Sequence, residues 1–245
     1  MDSVYSSDFF EGQVAGSVAS ADIVIPHVLS LFDVSSVVDV GCGVGSWLHV
    51  FERHGINDYL GVDGDYIPRD MLKISSERFR AADLTALPDF GRCFDLACSL
   101  EVAEHLPKES ASKFVAGLVK AAPIVLFSAA IPRQGGTSHV NEQWPTYWAA
   151  LFASHRYVAV DCIRPLIYDN ECIEWWYRQN ILIFCQRDKC PAAYRPVTKG
   201  YDLNMVHPAM IEHLLMPESG TEALAAIRRA LPVLRRAVIR KLGFR

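Results

Sequence analysis

The sequence predicts an α/β fold, a doubly wound, seven-stranded and mostly parallel sheet with helices on both faces. Short β-branched and apolar runs alternate along the chain with segments of helical periodicity. The first of these runs ends in three alternate glycines that open a helix. Acidic residues follow the next runs, at the edge where the carboxyl ends of parallel strands meet. N-terminal helices and a C-terminal basic amphipathic helix are expected to flank the sheet.

The first predicted strand is the β-branched run Val37–Val40. Gly41, Gly43 and Gly45 then let the backbone turn sharply and come close to a ligand, because a Cβ atom would obstruct both. A crossover helix is predicted from Ser46 to about residue 54, with apolar side chains spaced to face the sheet. A ligand site at this turn is the natural interpretation.

The other predicted strands follow the same alternation of β and α segments. They cover residues 59–63, 78–82, 94–98, 124–128, 157–163 and 181–186. The last two are expected to pair as a hairpin, with one strand antiparallel to the sheet. Asp63 ends the second strand and Asp83 follows the third. An acid at the tip of the second strand is positioned for the two hydroxyls of a ribose.

Composition and charge restrict the functional classes. The chain has 245 residues, of which 51% are hydrophobic, and this is enough to bury a sizeable core. The seven cysteines form no C-x-x-C pair, and the first residues lack the pattern of a signal peptide, so we expect a cytoplasmic protein. The net charge of −4 combines −10 over residues 1–221 with +6 over residues 222–245. The acidic body argues against a nucleic-acid partner.

Several motifs together resemble the class I S-adenosylmethionine (SAM) dependent methyltransferases, over about residues 36–186. They are Asp39-x-Gly41-x-Gly43-x-Gly45, Asp63, Asp83-Leu84 and Phe94-Asp95-Leu96. The resemblance implies a Rossmann-like methyltransferase fold with SAM as cofactor. It places the methionine end of SAM at the glycine turn, the ribose at Asp63 and the adenine at Asp83 and Leu84. Further contacts to the cofactor are expected from Asp39, Cys42, Trp47 and Ser99.

The N-terminal segment is expected to cover the cofactor, as variable helices do in this family. A helix is predicted from about Ser17 to Phe32, interrupted at Pro26. Gln13 and Ser17 are then candidates to line the SAM pocket. The alternative is a helix pair that only covers the edge of the sheet.

The run Glu101-Val-Ala-Glu104-His105 follows the fourth strand. If a helical turn begins at Glu101, the i, i+3 and i+4 spacing places the two carboxylates and the imidazole on one face. With His139 from the loop after the fifth strand, these residues suit an octahedral site for a divalent cation, Mg²⁺ or Mn²⁺. His139, or His105 if it is not a ligand, is the candidate base that accepts a hydroxyl proton.

This run is similar to the motif of small-RNA terminal 2′-O-methyltransferases (Hen1-like) and quinone O-methyltransferases (UbiG-like). In such relatives two glutamates and two histidines hold a metal that binds the acceptor hydroxyls. The resemblance implies Glu101, Glu104, His105 and His139 as the metal ligands. The alternative is that residues 101–105 only cap and orient a helix in a metal-free methyltransferase.

Aromatic side chains follow the loop after the fifth strand and recur near residue 176. Flat apolar faces interleaved with polar groups are common in carbohydrate and aromatic sites, although any single tryptophan also suits a core. The candidate substrate-binding residues are Trp144, Tyr147, Trp148, Trp176 and Arg178. These segments are similar to those of bacterial methyltransferases of polysaccharide and glycosylated natural-product pathways, which implies a glycan or small-molecule acceptor.

The C-terminal segment carries apolar residues at alternating steps of three and four, with arginines beside them. A basic amphipathic helix over residues 221–245 could lie on the inner membrane surface, pair with a partner helix, or dock on the domain. The sequence also leaves open a homodimer. We predict cap helices over residues 1–35, a methyltransferase domain over 36–190 and an extension over 191–245.

These observations predict a SAM-dependent O-methyltransferase that methylates a hydroxyl of a sugar, a glycan or a glycosylated small molecule with the help of a divalent metal. The first alternative is a metal-free methyltransferase that acts on an amine, a carboxylate or a phenol or quinol. The second is a non-catalytic SAM-binding scaffold at a membrane. An RNA methyltransferase is disfavoured by the acidic body.

Overall fold

A computed structural model describes residues 7–215 together with residues 224, 228 and 231, with the backbone alone at residues 7–14 and 215. These residues fall into two compact units that divide after Val206. The second unit contains the helix Pro208–Leu215, and residues 224, 228 and 231 are helical and exposed. The predicted amphipathic helix and its partners otherwise lie outside the described residues.

The first unit is built on seven strands. They are β1 (Ser36–Val40), β2 (Asp58–Asp63), β3 (Phe79–Ala81), β4 (Leu96–Leu100), β5 (Ile124–Ser128), β6 (Tyr157–Val160) and β7 (Leu182–Gln186). The strand order is β3-β2-β1-β4-β5-β7-β6. β7 runs antiparallel to both of its neighbours, β5 and β6, whereas the other pairs in this sheet are parallel. The predicted doubly wound, mostly parallel sheet with its terminal hairpin is therefore confirmed.

Helices of the first unit cover both faces of the sheet. They are α1 (Ser7–Leu31), α2 (Ser46–Arg53), α3 (Ala111–Ala121), α4 (Pro145–Ser154), α5 (Arg164–Ile167), α6 (Trp175–Asn180) and α7 (Gly200–Leu203). The helix of the second unit is α8 (Pro208–Leu215). Two clusters of buried apolar side chains fill the layers between the helices and the two faces of the sheet. The carboxyl ends of β1, β2, β3, β4 and β5 consequently meet at one edge.

The expected interruption of the N-terminal helix at Pro26 is wrong. Helix α1 runs from Ser7 to Leu31 with Pro26 inside it. Apolar residues on both sides of the proline, Val24, Ile25 and Val28, are fully buried, whereas Pro26 is exposed. Burial of this face holds the helix together because the proline removes only one backbone hydrogen bond and its ring points to solvent.

The chain after β4 also departs from the prediction. Strand β4 ends at Leu100, two residues later than expected, and the Glu101 amide still bonds the Ser128 carbonyl oxygen of β5 at 3.1 Å. Glu101 has a positive φ of 54° and therefore begins no helix. A single 3-10 turn follows at Ala103–His105. Tertiary pairing with β5 thus replaces the helical turn that the local spacing suggested.

No helix within the described residues is both long and apolar enough to span a bilayer. The boundaries proposed after residues 35 and 190 stay predictions.

Candidate active site

The glycine turn after β1 is fixed to the end of β2. The amides of Gly41 and Cys42 donate to the Val62 carbonyl oxygen at 2.7 and 3.2 Å. The amide of Gly43 donates to Asp63 Oδ2 at 2.7 Å. Gly43 has a φ of 54°, and a Cβ there would have no atom within 4 Å. The turn therefore presents backbone beside open space, as a ligand-binding loop requires.

Asp63 is a buried carboxylate with three hydrogen-bond donors. Beside Gly43, the Gly64 amide and the Tyr66 hydroxyl donate to Oδ1 at 2.6 and 2.8 Å. Burial raises the pKa of Asp63, and these three bonds oppose that shift. Asp39 on the neighbouring strand is only 3% exposed, and burial, with the charge of Asp63 second, raises its pKa to about 8.

Asp83 lies at the end of β3, where its carboxylate caps the 3-10 turn Leu84–Ala86 by accepting from the Thr85 hydroxyl and amide at 2.7 and 2.8 Å. These bonds lower the pKa of Asp83, so this exposed acid is charged at neutral pH. Leu84 is buried. A cleft of about 770 Å³ joins this segment to the residues after β2 and to His105. Residues at and after the carboxyl ends of β2, β3 and β4 therefore line one cavity.

Glu104, His105 and His139 each offer one ligand atom within 4.8 Å of the others. The two imidazole rings meet edge to face, with their centroids 4.8 Å apart. Glu104 is fully buried, and neither of its carboxylate oxygens has a hydrogen-bond partner. Burial, reinforced by the charge of Glu101, raises the pKa of Glu104. Burial also lowers the pKa of His105 to about 4, with the charge of His139 contributing.

The loop after β5 brings His139 to this cluster. The amides of Val140 and Asn141 both donate to the Glu104 carbonyl oxygen at 2.9 Å. His139 Nδ1 lies 3.1 Å from Glu142 Oε1. The backbone of Glu104 thus fixes the loop, and Glu142 holds the ring.

Glu101 lies beside the cluster, and its carboxylate oxygens accept hydrogen bonds from amide side chains. Gln134 Nε2 donates to Oε2 at 2.9 Å, and Asn180 Nδ2 donates to Oε1 at 3.0 Å. Asn180 also donates to Gln134 Oε1 at 2.9 Å, so the three side chains form a connected network. Burial raises the pKa of Glu101 as well. Three of the four predicted metal ligands come together in the cluster, and Glu101 contributes a neighbouring charge.

The remaining predicted cofactor residues lie along α1, α2 and β4. Trp47 is buried on α2 with its ring 5.2 Å from that of Tyr177, and Ser17 Oγ lies 3.4 Å from the Tyr177 hydroxyl. Ser99 is fully buried, and its hydroxyl has no hydrogen-bond partner. Residue 13 is part of α1, where the backbone alone is described.

The predicted acceptor residues divide between surface and core. Trp144 is 39% exposed at the start of α4, and Tyr147 is partly exposed with Lys108 Nζ 6.0 Å from its ring centre. Trp148 is 1% exposed and packs against Phe127 in the core. Two further predicted residues lie on α6: Trp176 is partly buried, whereas Arg178 is buried and donates to the Tyr168 carbonyl oxygen. Trp144 and Tyr147 therefore keep part of their aromatic surface accessible to solvent.

Sequence reasoning missed Glu142, Gln134, Asn180 and Tyr66. The spacing of His139 and Glu142 by three residues is a local signal for their pairing. Gln134 and Asn180 lie 33 and 79 residues from Glu101 along the chain, so only the sheet brings them together.

A glycine turn after β1, acids after β2 and β3, and this order of strands define a class I methyltransferase fold. The model of a methyltransferase domain family matches residues 20–157, and the chain belongs to this family. It is a SAM-dependent methyltransferase, with SAM as its cofactor. The comparison with curated proteins returned no match.

Solved structures share the fold at low sequence identity. The sugar N-methyltransferase KedS8 from a Streptoalloteichus species is 16% identical, with a TM-score of 0.55 over 76% of this chain and 97% of that chain. Streptomyces venezuelae DesVI is 16% identical, with a TM-score of 0.51 over 73% and 95%. An O-methyltransferase family protein from Burkholderia thailandensis is 13% identical, with a TM-score of 0.52 over 73% and 57%.

Proposed function

We propose that this methyltransferase transfers the methyl group of SAM to a hydroxyl of a sugar, a glycan or a glycosylated small molecule, with the assistance of a divalent cation. The observation that carries the proposal is the fully buried Glu104 carboxylate, whose two oxygens lack hydrogen-bond partners beside His105 and His139. An unpartnered buried carboxylate is costly unless it is protonated or binds a cation.

The residues present fit Mg²⁺ or Mn²⁺. Glu104 offers carboxylate oxygens, and His105 and His139 offer one ring nitrogen each. Oxygen donors with imidazole suit these cations, and their open positions are commonly filled by water or substrate oxygens. The buried carboxylate of Glu101 adds negative charge next to the group, which favours a cation further.

In this proposal SAM and the acceptor meet at the carboxyl ends of the strands. The glycine turn and Asp63 hold the methionine and ribose ends of SAM. Asp83 and Leu84, which line the cleft, hold the adenine, and the acceptor enters beside His105. A bound divalent cation lowers the pKa of a hydroxyl that it contacts. His139, where its Nε2 does not hold the cation, or His105 on the same condition, would take the hydroxyl proton at its free ring nitrogen. Burial keeps His105 neutral and so preserves a lone pair for either role.

The acceptor class is inferred from aromatic side chains that follow the loop carrying His139. Trp144 is exposed and Tyr147 partly exposed at the start of α4, directly after that loop. Aromatic faces pack against the apolar side of a sugar ring, and neighbouring polar groups orient its hydroxyls. The structural similarity to KedS8, a sugar N-methyltransferase, supports a sugar acceptor.

A metal-free methyltransferase that acts on an amine, a carboxylate or a phenol is the second candidate. The raised pKa of Glu104 favours it, because a protonated Glu104 would need no cation.

A labelled-methyl screen of sugars, glycans, amines and quinols separates these candidates. We expect transfer to a hydroxylated acceptor with Mg²⁺ or Mn²⁺, a loss of at least about 100-fold in EDTA, and a similar loss for Glu104→Ala with SAM binding retained. Transfer that is unchanged by EDTA and by Glu104→Ala would favour the metal-free candidate. SAM binding with no acceptor methylated would favour a scaffold.

A further inference from the structure

The Glu142 carboxylate connects the loop after β5 with the His139 ring. Its Oε1 accepts from the Gly135 amide at 2.8 Å and lies 3.1 Å from His139 Nδ1. Its Oε2 accepts from the Arg133 amide at 2.7 Å. One side chain thus fixes two points of the loop backbone and one nitrogen of the histidine.

This contact is shielded from solvent, since the His139 and Glu142 side chains are 11% and 21% exposed. A carboxylate that already accepts two backbone amides can only accept from the imidazole, so His139 Nδ1 carries a proton. In the neutral ring the lone pair is then on Nε2. Nε2 is therefore the nitrogen of His139 whose lone pair can act as a ligand together with Glu104 and His105.

The ring is held from two further sides. A Cβ on Gly136 would lie 2.4 Å from His139 Nε2 and Cε1, so this glycine lets the loop backbone pack directly against the ring edge. His105 meets the ring edge to face. Arg133 and Ser138 have φ values of 74° and 61°, and residues other than glycine keep such conformations only where surrounding bonds hold them. The bond from the Arg133 amide to Glu142 supplies that restraint at Arg133.

We infer that Glu142 is a positioning residue, which fixes His139 as the Nδ1–H tautomer and leaves one lone pair, on Nε2, to hold the cation or to accept the hydroxyl proton. The catalytic consequence rests on the proposed function, whereas the tautomer is a property of the protein without ligands. Carboxylates that orient a ligating histidine in this way raise metal affinity about 10- to 100-fold.

The tautomer is measured by ¹⁵N NMR of the histidine rings at pH 8.5, with His139→Gln used to assign the signal. We expect the Nδ1–H form for His139 in the wild-type protein and a mixture of both forms in Glu142→Ala. An Nε2–H signal, or a mixture in the wild type, would overturn the inference. The wild-type spectrum by itself tests the expected Nδ1–H tautomer of His139, even if the Glu142→Ala variant fails to fold.

Mn²⁺ affinity tests the consequence for the site. We expect binding to weaken about 10- to 100-fold in Glu142→Ala, to recover partly in Glu142→Asp, and to stay unchanged in Glu77→Gln, a control at an exposed acid before β3. Equal affinities of the Ala variant and the wild type would contradict a positioning role. If the wild-type protein binds no Mn²⁺, the metal part of the proposed function fails. The NMR measurement of the His139 tautomer then still tests whether Glu142 positions the ring.

Discussion

At the scale of single residues, the charge of Asp63 depends on a balance between burial and hydrogen bonds. Burial raises its pKa, and the Tyr66 hydroxyl opposes this by donating to Oδ1 at 2.8 Å. In the proposed site the ionised form accepts the hydroxyls of the SAM ribose, so SAM affinity should be present above the pKa of Asp63 and lost as the pH falls through it.

Tyr66→Phe removes one of these donors and should raise the pKa of Asp63 further. We expect the acid limb of SAM binding, followed by calorimetry between pH 4 and 8, to move to higher pH in this variant. Tyr201→Phe changes an exposed tyrosine of α7 and serves as the control. Superimposable pH profiles for Tyr66→Phe and the wild type would show that the hydroxyl does not tune the carboxylate.

At the scale of elements, the loop between β5 and α4 provides a steric test of the site. Gly135 and Gly136 both have positive φ, 74° and 143°, but only a Cβ on Gly136 would meet the His139 ring. Gly136→Ala should displace the ring and reduce methyl transfer about 10- to 100-fold, with the SAM affinity unchanged. Gly135→Ala also places a side chain at positive φ, with less strain because 74° lies near the left-handed region, and without the clash.

We therefore expect Gly135→Ala to retain most of the activity, measured as initial rates of labelled-methyl transfer with saturating acceptor. Equal rates for the two variants would mean that backbone strain, rather than contact with His139, governs this loop.

The strands were the most predictable elements, because their signal is local. The predicted bounds of β5 agree with the structure, whereas β4 is shifted by two residues. The run from Phe94 to Leu100 is apolar at most positions, so pairing with β1 and β5 selects which part forms the strand. The amide network on Glu101 was unpredictable for a related reason, since residues distant in sequence form it.

At the scale of the first unit, a buried arginine connects segments that are distant in the chain. Arg164 is 1% exposed, makes a bidentate pair with Asp161, and donates to the carbonyl oxygens of Gln179, Asp202 and Leu203. Gln179 donates to Gln134 Oε1 at 3.2 Å, so this network continues into the amides beside Glu101. The end of the first unit and the candidate site therefore share one set of hydrogen bonds.

Removing this side chain should leave Asp161 unpaired and three carbonyl oxygens without their donor. We expect Arg164→Ala to lower the free energy of unfolding by about 3 kcal/mol in urea denaturation. Arg156→Ala, at an exposed position before β6, should change it by less than about 0.5 kcal/mol. A small effect for Arg164→Ala would show that the neighbouring groups find other partners.

Titration with Mn²⁺, followed by electron paramagnetic resonance, measures whether Glu104, His105 and His139 hold a divalent cation. We expect one bound Mn²⁺ per wild-type chain and a loss of affinity on the order of 100-fold in Glu104→Gln, with SAM still bound. A wild-type chain that binds SAM but leaves Mn²⁺ free in solution would contradict this expectation.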